Sequence, residues 1–191
     1  QKDAVREFTN AVLRGQTQML DTSKALTISS NARLWPRGPS GLVEVPYTVT
    51  AGNQTNIDGA VAEVNRALSG TLKWVPRSAE QDYVSFNMTT SSGGGCNSFV
   101  GRQGNRQDIQ GDPDCSVGIL VHEMGHAMGM WHIQSDPDMP AFIDFNIANM
   151  APTNRFNSLP ILGTQTFSGY EYGSIMHYGR LDFSSYEGRK V

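Results

Sequence analysis

The sequence predicts an α/β (α+β) domain: a twisted mixed sheet backed by one helix, with a second helix that carries a candidate active site. Three observations give this class: a β-branched run at residues 43–50, an amphipathic helical period at 57–68, and short apolar runs that lead into a second helix at 116–128. The chain's 191 residues fit one domain, or one domain cut by a cleft into an upper and a lower half. Apolar residues make up 38% and charged residues 17%, which places the chain among packed globular proteins.

Residues 1–30 contain a helical pattern at Val5, Phe8 and Val12, and residues 21–31 form a polar stretch without a clear period. They read as an N-terminal extension ahead of a domain spanning 31–191. Trp35-Pro36-Arg37-Gly38-Pro39 reads as a turn, and 43–50 as a strand with Pro46 near its start or edge. Ile57, Ala60, Val61, Val64, Ala67 and Leu68 recur at helical spacing behind the cap candidates Thr55 and Asn56. Strands are expected at 72–75, 83–88 and 98–100. Ser92-Gly93-Gly94-Gly95 reads as a bulge or a close approach of backbone to another segment. The second helix has Asp112, Asp114 or Ser116 as cap and Gly129 to end it.

A formal charge of -3 with no basic stripe excludes a nucleic-acid partner from the expectations. No apolar run nears the roughly 20 residues that cross a bilayer, so no membrane insertion is expected, and the start at Gln1-Lys2-Asp3 lacks a signal-peptide core. A monomer is expected. Cys96 and Cys115 flank a Gly-rich polar stretch and have two readings, a crosslink made in an oxidising compartment or two buried free thiols. Asn-x-Thr sequons at Asn53 and Asn87 fit secretion.

The second helix carries His122-Glu123-Met124-Gly125-His126, and residues four apart share a face, so both imidazoles can reach one ion. Gly129 lets the chain turn back so that His132 supplies a third nitrogen. Three neutral donors with an open fourth position suit a catalytic zinc, whereas a structural zinc is closed by a fourth protein ligand. One Zn2+ per chain is therefore expected, with Glu123 as general base toward water. Ser174-Ile175-Met176-His177-Tyr178 matches a Met-turn, in which the Met176 thioether floors the metal site.

The string HEMGHAMGMWH followed by SIMHY resembles the astacin family of metzincins, over residues from about Leu34 to Phe183. The resemblance implies a zincin-like fold with a cleft between its halves, and a secreted zinc metalloendopeptidase acting on peptide or protein substrates. It implies that Tyr178 is an additional zinc ligand that can swing away to hydrogen-bond the reaction intermediate, and that Cys96 and Cys115 form the inner disulfide. Substrate is expected as an extended strand along Gly95, Cys96, Asn97, Ser98 and Phe99. His177 receives no role.

Departures from the family pattern are equally specific. Ile133 stands where a glutamate anchors the mature N-terminus, so no anchoring salt bridge can form there. Leu13-Arg14-Gly15-Gln16 resembles the element that makes family members latent, with Gln16 in place of a zinc-capping aspartate and Asp21 as another candidate group. Residues 1–30 are thus expected to be a prosegment or a plain extension. Thirteen residues follow Tyr178, without the cysteines of a second disulfide, so an abbreviated lower half or a fragment is expected. The rival function is a latent or weakly active zinc-containing binding or coat protein.

Overall fold

A computed structural model describes residues 26–28, 33–89, 95–144, 146–161, 164–166, 170, 172–179 and 181–184. The helical pattern at Val5 to Val12, the candidate latency residues Gln16 and Asp21, and Ser92 to Gly94 lie outside the described residues.

The main sheet has five strands in the order β3-β2-β4-β6-β5. These are β2 (Val43–Ala51), β3 (Leu72–Pro76), β4 (Tyr83–Asn87), β5 (Cys96–Ser98) and β6 (Arg106–Gly111). β2 runs parallel to β3 and β4, β4 runs parallel to β6, and β5 is the antiparallel edge. Helix α1 (Gln54–Ala67) connects β2 to β3, and helix α2 (Val117–Ala127) follows β6. A separate ribbon pairs β1 (Leu26–Ile28) with β7 (Thr164–Thr166).

Pro46 shows how a sheet tolerates a residue with no N–H. The Val43 amide donates to Thr71 and the Tyr47 carbonyl accepts from Arg77, so the odd-numbered residues of this stretch bond toward β3 and Pro46 faces the β4 side. Pairing with β4 begins only at Tyr47, so no ladder bond is lost.

Ile57, Ala60, Val61 and Val64 of α1 and Leu120, Val121 and Met124 of α2 join Val45, Trp74, Val84, Phe86 and Ile109 in one buried core. Trp74, Tyr47 and Phe86 pack as a cluster of rings, with Tyr47 edge-on to Phe86 at 5.8 Å between centroids.

Several expectations are corrected. The α1 cap is Asn53, whose side chain accepts from the Asn56 amide at 3.2 Å; Thr55 and Asn56 already belong to the first turn. The edge strand lies at 96–98, two residues ahead of the expected 98–100. β6 carries no apolar alternation because its buried positions are Gln107, Ile109 and Gly111. The Gln107 amide donates to Gly101 O at 3.0 Å and its oxygen accepts from Gln103 N at 2.9 Å, so a polar side chain is satisfied where a valine would be expected. The aperiodic stretch 21–31 contains β1, whose partner lies more than a hundred residues away.

Gly111 has φ 151°, and a side chain there would overlap Gly95 O and the Cys96 backbone. That close approach seats β5 against β6, and the Cys96–Cys115 disulfide, with Cα atoms 6.5 Å apart, ties the edge strand to the start of α2. Free thiols are therefore ruled out. Of the two sequon asparagines, Asn53 is exposed, whereas the Asn87 amide donates to Asp108 Oδ2 within the sheet at 3.1 Å.

Candidate active site

Ser116 caps α2, its hydroxyl accepting from the Ile119 amide at 3.4 Å. The helix then places His122 and His126 one turn apart, their rings edge-to-face at 4.7 Å. It stops because Gly129 takes φ 108°, with its amide bonded to His126 O and the Met130 amide bonded to Gly125 O. The reversed chain brings His132 Nε2 to 3.1 Å from both His122 Nε2 and His126 Nε2.

The outer ring nitrogens decide what the inner ones can do. His122 Nδ1 lies 2.7 Å from Ile175 O, and His126 Nδ1 lies 2.7 Å from Met130 O. Carbonyls only accept, so each Nδ1 carries the proton and each Nε2 presents a lone pair to the same point. Tetrahedral coordination at a Zn–N distance of about 2.05 Å would separate nitrogens by about 3.3 Å, close to the observed spacing. Burial favours neutral rings: His122 is pushed below its ordinary value, His126 down to about 4 and His132 to about 3, with repulsion among the histidines adding to the effect at the last two. The residues present fit a zinc ion.

Glu123 is 5% exposed, and its Oε2 has no hydrogen-bond partner among the described residues. Burial pushes its carboxyl up to about 8, a range suited to taking and returning a proton near neutrality. The Tyr178 ring lies 4.3 Å from His132, centroid to centroid, and its phenol is raised to about 12 by burial, then by the charges of Asp182 and Glu123. Met176 is 1% exposed, sits in the main core, and accepts the Ile133 amide through its carbonyl at 3.0 Å. Ile133 is buried with Met139 and Tyr170, so the place of the family glutamate is filled by apolar packing.

The structure thus brings together Glu123, His122, His126, His132, Met176 and Tyr178. It places Gly95 to Phe99 along the edge strand beside α2, and Phe99 is 60% exposed. Sequence reasoning missed the backbone carbonyls of Ile175 and Met130, which carry no side-chain signal, and also Gln134, Tyr170 and His177. Gln134 is wholly buried and accepts the Tyr178 amide at 3.3 Å.

A mixed sheet packed on two helices, with three convergent imidazoles and a buried carboxylate beside the first, defines a zinc metallopeptidase. Comparison with known proteins narrows the class. The family model for the astacin peptidases matches residues 27–190, and the chain belongs to that family. High choriolytic enzyme 1 of Oryzias latipes is 31% identical over 186 residues, an alignment covering 93% of this chain and 66% of that protein. The astacin-like metalloendopeptidase of Mus musculus is 32% identical over 168 residues, covering 84% of this chain and 37% of that protein. The solved structure of high choriolytic enzyme 1, a hatching enzyme zinc-protease, superposes with a TM-score of 0.73 at 30% identity, covering 87% of this chain and 83% of that one. Myroilysin shares the fold with a TM-score of 0.53 at 20% identity, over 87% of this chain and 89% of that one. The chain spans just under two thirds of the length of high choriolytic enzyme 1. Residues 27–190 are an astacin-type zinc metalloendopeptidase domain.

Proposed function

We propose that the whole protein is a secreted endopeptidase that hydrolyses peptide bonds in extracellular polypeptides, with Glu123 as general base. The observation that carries this reading is the buried, unpartnered Glu123 oxygen beside three inward-facing imidazole nitrogens. Zinc held by His122, His126 and His132 supplies Lewis acidity that acidifies water and polarises a carbonyl. Glu123 takes the proton of the attacking water and passes it to the departing amine. Tyr178 would add a further, displaceable hold on the ion, and its phenol, whose ionisation burial disfavours, would donate a hydrogen bond to the oxyanion. No covalent enzyme intermediate is involved.

Substrate binds as an added strand along 95–99. β5 is the sheet edge and has only β6 as neighbour among the described residues, which supports that rail. The disulfide supports an oxidising compartment, and among the described residues no helix is long and apolar enough to cross a membrane. A monomer in which residues 1–30 restrain activity completes the reading; cleavage assays before and after their removal test the restraint, and no gain on removal would exclude it.

The deciding experiment measures zinc content and cleavage of a quenched-fluorescent peptide library for the native chain and Glu123→Gln. Chelator-sensitive cleavage by the native chain alone, with stoichiometric zinc in both, is expected. Zinc without cleavage in the native chain would instead favour a latent form or a binding protein, which the assay after removal of residues 1–30 separates.

A further inference from the structure

The Met-turn segment contains a histidine that the metal does not use. His177 Nδ1 lies 2.6 Å from the Tyr178 carbonyl oxygen, and its Nε2 lies 2.6 Å from the Tyr170 hydroxyl. The carbonyl only accepts, so Nδ1 bears the proton; Nε2 then offers its lone pair, and the Tyr170 O–H donates to it. On the opposite side, the Tyr178 N–H donates to the buried Gln134 amide oxygen. The backbone N–H and C=O of residue 178 are therefore each held by a side chain.

The far end of this chain of bonds is well anchored. Tyr170 is 9% exposed and clusters with Ile133 and Met139, its ring stacked on Phe142 at 5.2 Å. Met176 already has its own ties through Ser174 Oγ and the Ile133 amide, so the His177 and Gln134 bonds are not needed to close the turn beneath the metal.

We propose that Tyr170 and His177, opposed by Gln134, are positioning residues that hold the Tyr178 backbone still while its phenol changes place. A phenol that leaves the metal for a developing oxyanion must arrive within hydrogen-bond distance each turnover. A fixed backbone confines that movement to the side-chain torsions. The inference rests on the role given above to Tyr178.

Tyr170→Phe removes one hydroxyl and leaves the ring in its apolar cluster. With that bond lost, kcat is expected to fall roughly five- to tenfold while KM stays within about twofold and zinc remains stoichiometric. In a Tyr178→Phe background the same substitution is expected to change kcat by less than about twofold, because the group being positioned is gone. His177→Asn, whose amide N–H can replace the bond to the Tyr178 carbonyl, should retain more activity than His177→Leu. An equal fall in both backgrounds, no fall in the native one, or zinc loss from Tyr170→Phe would overturn the clamp. If Tyr178→Phe leaves kcat unchanged, the role of Tyr178 itself fails, and the clamp falls with it.

Discussion

Residues 33–132 and residues 133–184 are built by different means. Among the described residues, the first group contains five strands and two helices around one continuous apolar core, whereas the second contains four short 3-10 turns and one strand, β7. Its own apolar cluster consists of Ile133, Met139 and Tyr170 with Ile143 packed on it. Ile133 N to Met176 O and Tyr178 N to Gln134 Oε1 are directed bonds within the second group, while the His122 Nδ1 to Ile175 O bond and the burial of Met176 in the main core tie it to the first. Burial summed over many residues stabilises the first group; the second relies on a small apolar cluster, on Met176 docked in the main core and on a few oriented bonds beside the metal-holding histidines.

The largest effect expected concerns chemistry alone. Glu123→Gln removes the proton-accepting carboxyl from the well-packed half, so peptide cleavage should fall by roughly three orders of magnitude with zinc content and amide exchange unchanged in both halves. Residual turnover near the native level would take Glu123 out of the base role. Zinc removal should act unevenly: under a chelator, hydrogen exchange at 133–150 and 172–179 should accelerate far more than at β2 and β4. Uniform acceleration would break the contrast between the halves.

Replacing Cys96 and Cys115 together by Ser opens a crosslink of sequence separation 19. It should cost about 3 kcal/mol, seen as a lower denaturation midpoint of the main sheet. The zinc-free protein should also lose stability in acid. The folded forms of His126 and His132 titrate at about 4 and about 3, below the ordinary value of 6.5, so the unfolded chain takes up protons first. The contribution of these neutral rings is fully present above 6.5 and is lost as pH falls toward 4, which urea midpoints across that range will report. The smallest effect is that of Trp35→Phe, which removes the indole bond to Ala127 O at the end of α2 and should cost about 1 kcal/mol with little change in cleavage.

The same division explains what could be read in advance. The helical period through Ile57, Val61, Val64 and Leu68 and the spacing of His122, His126 and His132 are local signals, and both are met in the structure. β6 was invisible because Gln107 and Gly111 occupy its buried face, satisfied by backbone groups that a pattern of apolar residues does not contain. β1 was invisible for another reason: its partner Thr164–Thr166 is remote in sequence and short. The Met-turn was legible as a string, yet the roles of Ile175 O and Gln134 depend on contacts between segments remote in sequence, such as the 53 residues that separate His122 from Ile175.

The two carbonyls that fix the His122 and His126 tautomers also bear on which ions can compete for the site. Among the described residues the grouped donors are three imidazole nitrogens, without a carboxylate. Calcium and magnesium, which take oxygen ligands, find no match there, so abundant hard cations should not displace the physiological ion. Discrimination is then left to borderline ions that accept nitrogen. Cobalt, nickel or copper should enter the same cradle, copper binding more tightly than zinc, and each would bring an electronic spectrum through which the three imidazoles can be observed directly.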